Sequence, residues 1–134
     1  PVSAQDVIRM LRDHFEGTPY DLTQGPAAGP YGTPNRWDGA AGEREVNTGA
    51  WERGISIHRT IFSFVAQARP GAPELLRGLV WIGEDTPHAT CFVPFYLAQR
   101  ALPDAYTKVT QAVFDLQTAW WASNTVKRVM DLNY

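Results

Sequence analysis

The spacing of the strand-like segments in the second half of the chain limits the possible folds most strongly. Residues 52–68, 79–82 and 89–97 are rich in β-branched and aromatic residues, which favour strands. Turn residues separate these segments at 70–73 and at 84–88. Such short connections leave no room for the crossover helices that parallel strands require. The spacing therefore predicts an antiparallel sheet, with Pro94 placing the last strand at an edge or a bulge.

A helix is predicted on each side of these strands. Residues 3–16 follow helical spacing and begin with Ser3 as a potential N-cap, with Asp6 three positions later. Residues 116–132 show a wide apolar arc, which predicts a well-buried helix, and Asp115 is the expected N-cap. The order of helix, loop, strands and helix predicts the α+β class, with helices flanking an antiparallel sheet.

A long irregular loop is expected between the first helix and the strands. Residues 17–43 contain six of the eleven glycines, and turn dipeptides recur there. The loop also carries Tyr20, Asp21 and Arg36, side chains that a flexible linker would not need. Long loops in compact domains are frequently binding loops or lids, so these three residues are candidates to line a substrate mouth.

Composition excludes several classes of function. The 134 residues are the size of one domain, and residues 1–134 are treated as a single unit. The net charge of −2 argues against a nucleic-acid partner, which requires a basic patch. No run of residues approaches the roughly 20 apolar residues of a membrane span, so no membrane partner is predicted. A single cysteine forbids an intrachain disulfide and favours a reducing, cytoplasmic location.

The histidines and the cysteine predict no cofactor. His14, His58 and His88 fall in three different elements without metal-ligand spacing, so no metal site is expected. Cys91 lies in an apolar strand segment, where a lone cysteine is usually a small core residue. A nucleophilic Cys91 or a reactive N-terminal amine at Pro1 is a less favoured alternative.

Arg59 is the most informative single residue. Counting along a strand places it on the same face as Ile55, Ile57 and Ile61. A guanidinium on an apolar face requires a partner, because an unpaired buried charge is costly. Three interpretations remain open: a structural ion pair, a role in a substrate or active site, and exposure to water at a sheet edge.

Several motifs, in order along the chain, resemble the PepD-type cysteine dipeptidases, N-terminal-nucleophile hydrolases related to the secernins. They extend almost from end to end, which makes a chance match implausible. The motifs are DHFEGT at 13–18, YD at 20–21, GPYG at 29–32, PNR at 34–36, ERGISIHRT at 52–60, FVAQAR at 64–69, GLVWIG at 78–83, TCFVPFY at 90–96 and AWWASN at 119–124.

This resemblance implies a four-layer αββα fold, in which two antiparallel sheets lie between helices. It implies hydrolysis of dipeptides by an N-terminal cysteine whose own α-amine serves as the base. No position of this chain matches that cysteine, so the resemblance implies that residues 1–134 are a C-terminal part of the catalytic domain and inactive alone. Self-association through a sheet surface left exposed is then expected.

The same resemblance suggests supporting site residues. Related hydrolases keep an arginine near the nucleophilic thiol, and Arg59 is the candidate for that position. Asn124, on the predicted tryptophan-rich helix, is a candidate oxyanion donor, since a buried amide can stabilise developing negative charge. The alternative function is a non-catalytic binding or assembly module that uses the aromatic surface and the long loop.

Overall fold

The computed structural model describes residues 2–35, 52–108 and 111–134. In these ranges three helices and three strands occur, connected by short 3₁₀ turns at Pro26–Ala28, Glu74–Leu76 and Pro87–Ala89. The helices and strands, in chain order, are α1 (Ala4–Leu11), β1 (Phe62–Ala68), β2 (Gly78–Glu84), β3 (Val93–Tyr96), α2 (Asp104–Thr107) and α3 (Ala119–Met130).

The three strands form one antiparallel sheet in the order β1-β2-β3. Val65 pairs with Trp81, and Val80 pairs with Phe95. Pro94 lies in β3, at the edge of this sheet, where a missing N–H is tolerated. The predicted α+β class and the antiparallel pairing are confirmed.

The first strand is much shorter than predicted, because residues 52–61 are drawn towards the end of α1 instead. Ser56 donates its backbone N–H to the carbonyl of Asp13 over 3.0 Å. Gly54 approaches so closely that an added Cβ would lie 3.1 Å from the His14 ring. A larger residue would displace a neighbour, so glycine at position 54 permits the close approach of this segment to the end of α1.

Helix α1 shows the predicted N-terminal capping box. Ser3 Oγ accepts from the backbone N–H of Asp6 over 3.2 Å, and Asp6 Oδ2 accepts from the backbone N–H of Ser3 over 2.9 Å. The helix ends at Leu11, earlier than residue 16. Its buried Ala4 and Ile8 pack against Val65 on one face of the sheet, and this contact forms the described hydrophobic core.

Helix α3 differs from the prediction at its start and in its burial. Its N-cap is Thr118, whose hydroxyl accepts from the backbone N–H of Trp121, rather than Asp115. The expected deep burial is wrong, since Val129 is 63% exposed and Leu132 is 73% exposed.

The reason is that the inward side of α3 is polar. Ser123 Oγ lies 3.3 Å from Thr90 Oγ1, and the buried Lys127 Nζ lies 2.9 Å from Asp131 Oδ2. The apolar stripe consequently faces outward. In the described ranges, no helix is long and apolar enough to cross a membrane.

Candidate functional site

Arg59 lies in a turn and not on a strand. Thr60 donates its backbone N–H to the carbonyl of Ile57, which closes the turn, and the Arg59 side chain is exposed. The predicted apolar strand face is therefore wrong, and Ile55 and Ile61 are each at least half exposed. Within the described residues Arg59 forms no hydrogen bond or ion pair, which argues against the structural ion pair.

Arg59 stands at a small polar pocket, called here the Arg59 pocket. Its free volume is about 10 Å³, room for about one water molecule. The residues around it come from the end of the irregular loop and from the segment before β1. They are Pro34, Asn35, Glu52, Arg53, Gly54, Ser56, Ile57, His58 and Arg59.

A larger pocket, called here the Tyr20 pocket, adjoins the first one. It measures about 290 Å³ and is lined by Phe15, Tyr20, Leu22, Glu52 and Arg53. Glu52 and Arg53 line both pockets, so they form a shared wall. The structure thus brings the sequence candidates Tyr20 and Arg59 to one continuous surface, with an apolar side and a cationic side.

Asp21 stiffens the loop and does not line either pocket. Its Oδ2 accepts from the backbone N–H of Gly17 over 3.0 Å, and its Oδ1 accepts from the backbone N–H of Thr23 over 2.8 Å. These bonds hold the turn that presents Tyr20. Arg36, the third loop candidate, lies outside the described residues.

The Arg59 pocket is backed by a layer of buried polar side chains. Ser56 is 2% exposed, and its Oγ lies 2.9 Å from His88 Nδ1. His14 is 1% exposed, its Nδ1 lies 3.0 Å from Glu16 Oε1, and its ring centroid is 4.9 Å from that of His88. Burial, reinforced by His14, lowers the pKa of His88 to about 4.

The sequence places these two histidines in separate elements, and their contact was not predicted. Residue spacing along the chain could not reveal this contact, because the two rings meet only when the segment after α1 packs against the segment after β2. In residues 2–35, 52–108 and 111–134, no group of three His, Cys, Asp or Glu side chains could hold a metal ion.

A buried ion pair lies beside the Arg59 pocket. Lys127 is 4% exposed and pairs with Asp131 Oδ2, while Asn35 Nδ2 donates to Asp131 Oδ1 over 3.0 Å. Burial lowers the pKa of His58, and the nearby charges of Lys127 and Arg59 lower it further. The surroundings therefore disfavour additional positive charge.

Asn124 lines neither the Arg59 pocket nor the Tyr20 pocket. Its Nδ2 donates to Oδ2 of Asp85 over 2.8 Å, and it lines a separate groove of about 620 Å³ on α3. Trp121 in that groove packs edge-on against Phe114 and Trp120. The structure therefore does not bring Asn124 together with Arg59.

Cys91 is exposed, so the prediction of a buried strand cysteine is wrong. The physical reason is that β3 begins only at Val93, which leaves Cys91 in the preceding connection. That connection is held by Arg12, whose Nη2 donates to the carbonyl of Thr90 over 2.7 Å. The Cys91 thiol forms no hydrogen bond to any residue that the structure describes.

Comparison with known proteins decides the family. The model of peptidase family C69 matches residues 1–134, the whole chain. The chain belongs to peptidase family C69. The resemblance to cysteine dipeptidases noted from the motifs is thereby confirmed at the level of the family.

Curated relatives carry dipeptidase names at low identity. A probable dipeptidase B of Lactococcus lactis subsp. lactis is 29% identical over 133 residues, and dipeptidase A of Lactobacillus helveticus is 26% identical over 133 residues. A dipeptidase of Bifidobacterium longum is 27% identical over 130 residues, which cover 97% of the chain and 21% of the relative.

The first two alignments cover 99% of the chain and 24% of each relative, so this C69 chain spans about a quarter of their length. No solved structure gives a significant match. Among the pocket-lining residues to which the sequence assigned no site role are Phe15, Asn35, Glu52 and Arg53. All four lie inside the motifs that carry the family resemblance. Membership of these motifs was the signal in the sequence that could have marked them as site residues.

Proposed function

We propose that this C69 chain is one part of a cysteine-type dipeptidase that hydrolyses dipeptides. The observation that carries the proposal is the family match over all 134 residues, together with relatives named dipeptidases. The two adjoining pockets support the proposal, because an apolar side chain and a charged terminus of a small peptide fit side by side there.

The nucleophile is proposed to be an N-terminal cysteine located outside residues 1–134. Its thiolate would attack the peptide carbonyl carbon, its α-amine having accepted the thiol proton. The C–N bond would then break, and the protonated amine of the second amino acid would leave. Water would hydrolyse the thioester, releasing the first amino acid and restoring the thiol.

Cys91 is poorly suited to that role. It is exposed, and no described histidine or lysine hydrogen-bonds to it, whereas a nucleophilic cysteine requires a base or a cationic neighbour that stabilises the thiolate. It also lines neither the Arg59 pocket nor the Tyr20 pocket. The four-layer αββα arrangement remains part of the proposal, with the described three-stranded sheet as a portion of one sheet layer.

Substrate length tests this function directly. The full-length protein that contains this chain should hydrolyse Ala-Leu, and should hydrolyse Ala-Leu-Ala and an internally quenched peptide at least about tenfold more slowly. Residues 1–134 expressed alone should hydrolyse none of them. Equal rates on dipeptides and long peptides, or no dipeptide hydrolysis by the intact protein, would refute the proposed dipeptidase function.

A further inference from the structure

The Arg59 pocket has two guanidinium groups without partners among the described residues. Arg53 and Arg59 are both exposed, both line the pocket, and neither forms a hydrogen bond or ion pair within residues 2–35, 52–108 and 111–134. An arginine fork binds a carboxylate through two parallel charge-assisted hydrogen bonds. Two such forks at one pocket are suited to an external anion.

The acidic groups nearby do not neutralise these arginines. Asp131 already accepts from Lys127 on one oxygen and from Asn35 on the other. Glu52, on the shared wall, also has an interaction of its own. Lys127 and Asp131 together carry no net charge, so this buried pair neither adds to nor cancels the charge of the two arginines.

Besides the shared wall of Glu52 and Arg53, the adjoining Tyr20 pocket has an apolar side. Phe15, Tyr20 and Leu22 supply that side, and the volume of about 290 Å³ lies at the small end of ligand pockets, which run from about 300 to 1,000 Å³. One amino-acid side chain is therefore a better match than an extended peptide.

The walls of the Tyr20 pocket are held in place before any ligand binds. Phe15 has a left-handed backbone, with φ at 66°, and its N–H donates to Asp13 Oδ1 over 2.6 Å. Asp21 fixes the turn that carries Tyr20. A rigid site loses less entropy on binding, and strained backbone is frequently found at ligand sites.

We propose that these two pockets together bind the C-terminal residue of the dipeptide, an inference that rests on the proposed function. The exposed Arg59 and Arg53 bind its free carboxylate at the rim of the Arg59 pocket, whose interior holds only about one water molecule, and the Tyr20 pocket takes its side chain. The site thus selects a free carboxyl terminus and an apolar residue beside it.

The test compares Ala-Leu with its C-terminal amide in the full-length protein. The wild type should show a KM for Ala-Leu about tenfold or more below that for the amide, as expected for a charge-assisted pair. Arg59→Ala should raise the KM for Ala-Leu about tenfold, change kcat little and leave the amide unaffected. Arg59→Lys should recover only part of the wild-type affinity for Ala-Leu, because an ammonium group cannot donate two parallel hydrogen bonds to a carboxylate.

Arg100→Ala is the matched control, since Arg100 is exposed and lies outside both pockets. It should leave both KM values unchanged. An Arg59→Ala variant that keeps the wild-type ratio of the two KM values would overturn the inference while leaving the dipeptidase function intact.

A binding measurement separates the two proposals completely. By calorimetry, N-acetyl-leucine should bind the full-length protein more tightly than N-acetyl-leucinamide, and Arg59→Ala should abolish the difference. This result is independent of turnover. Equal affinity of the wild type for the two probes would overturn the carboxylate site, whether or not dipeptides are hydrolysed.

Discussion

Asn124 Nδ2 donates a hydrogen bond to Oδ2 of Asp85 across 2.8 Å, which ties α3 to the end of β2. Asp85 is 3% exposed and has a left-handed backbone, with φ at 64°. Few residues other than glycine, asparagine and aspartate adopt this conformation readily. Asp85 is thus a buried hydrogen-bond acceptor and also a residue whose left-handed backbone disfavours most side chains.

The first prediction separates these two contributions by substitution at Asp85. Asp85→Asn keeps an acceptor and tolerates the backbone, so its unfolding free energy should stay nearest to wild type. Asp85→Gly loses the hydrogen-bonding side chain but suits the left-handed backbone. Asp85→Ala loses the same hydrogen bond and keeps a Cβ that this backbone disfavours, so it should be the least stable. Loss of the buried bond should cost about 1–3 kcal/mol in urea titrations. An Asp85→Ala protein as stable as wild type would contradict this account.

The second prediction concerns acid stability and His88. Its pKa is lowered from 6.5 to about 4 in the folded protein, chiefly by burial. Between these two pH values the unfolded chain binds a proton that the folded protein does not, so the unfolding free energy should fall as the pH is lowered from 6.5 to 4. Above pH 6.5 this group should have no effect, because it is neutral in both states.

His88→Gln provides the comparison, since glutamine can still bond to Ser56. Urea titrations at pH 7 and pH 4.5 should show a smaller loss of stability in this variant than in wild type. Identical losses in the two proteins would show that His88 does not contribute to the pH dependence.

What could be predicted from the sequence here was mainly local. The capping box of Ser3 and Asp6 depends on three-residue spacing, and the antiparallel pairing follows from short connections. Arg59 and Cys91 were misplaced because the strand boundaries depend on tertiary contacts. The backbone N–H of Ser56 bonds to the carbonyl of Asp13, and the Arg12 guanidinium holds the segment before β3. An alternating sequence pattern reveals neither of these long-range contacts.

The candidate site was only partly within reach of sequence reasoning. Tyr20 and Arg59 were named from the loop and from charge, and the structure places them on one surface. That Glu52 and Arg53 join the two pockets depends on how the loop folds back onto residues 52–59. Asn124 was grouped with Arg59 only by analogy, and in the structure it lines a different groove, on α3.

The third prediction concerns self-association. Phe62 and Phe64 lie on the same face of the edge strand β1 and are 58% and 60% exposed, on the face opposite the Val65 core contact. Residues 1–134 alone should therefore associate as concentration rises, because monomers rarely expose such contiguous apolar surface. Light scattering after gel filtration should show a mass above 14.9 kDa.

Phe64→Glu should shift that equilibrium to the monomer. Leu75→Glu is the control, because Leu75 is 70% exposed but lies in the turn between β1 and β2. A wild-type chain that stays monomeric at millimolar concentration, or equal effects of both variants, would contradict association through the sheet face.

The fourth prediction concerns the reactivity of Cys91. As the single, exposed cysteine of the 134 residues, it should react with Ellman's reagent in the native protein, releasing one equivalent of chromophore without denaturant. Cys91→Ser should release none. Reaction of the wild type only after addition of denaturant would show that the thiol is buried.

The turnover of Cys91→Ser in the full-length protein shows whether dipeptide hydrolysis uses a cysteine outside this chain. This variant should hydrolyse Ala-Leu at the wild-type rate, within about twofold, and iodoacetamide should still abolish its activity, because the nucleophilic thiol remains. Loss of turnover in a folded Cys91→Ser protein would place the nucleophile at Cys91 and contradict the account.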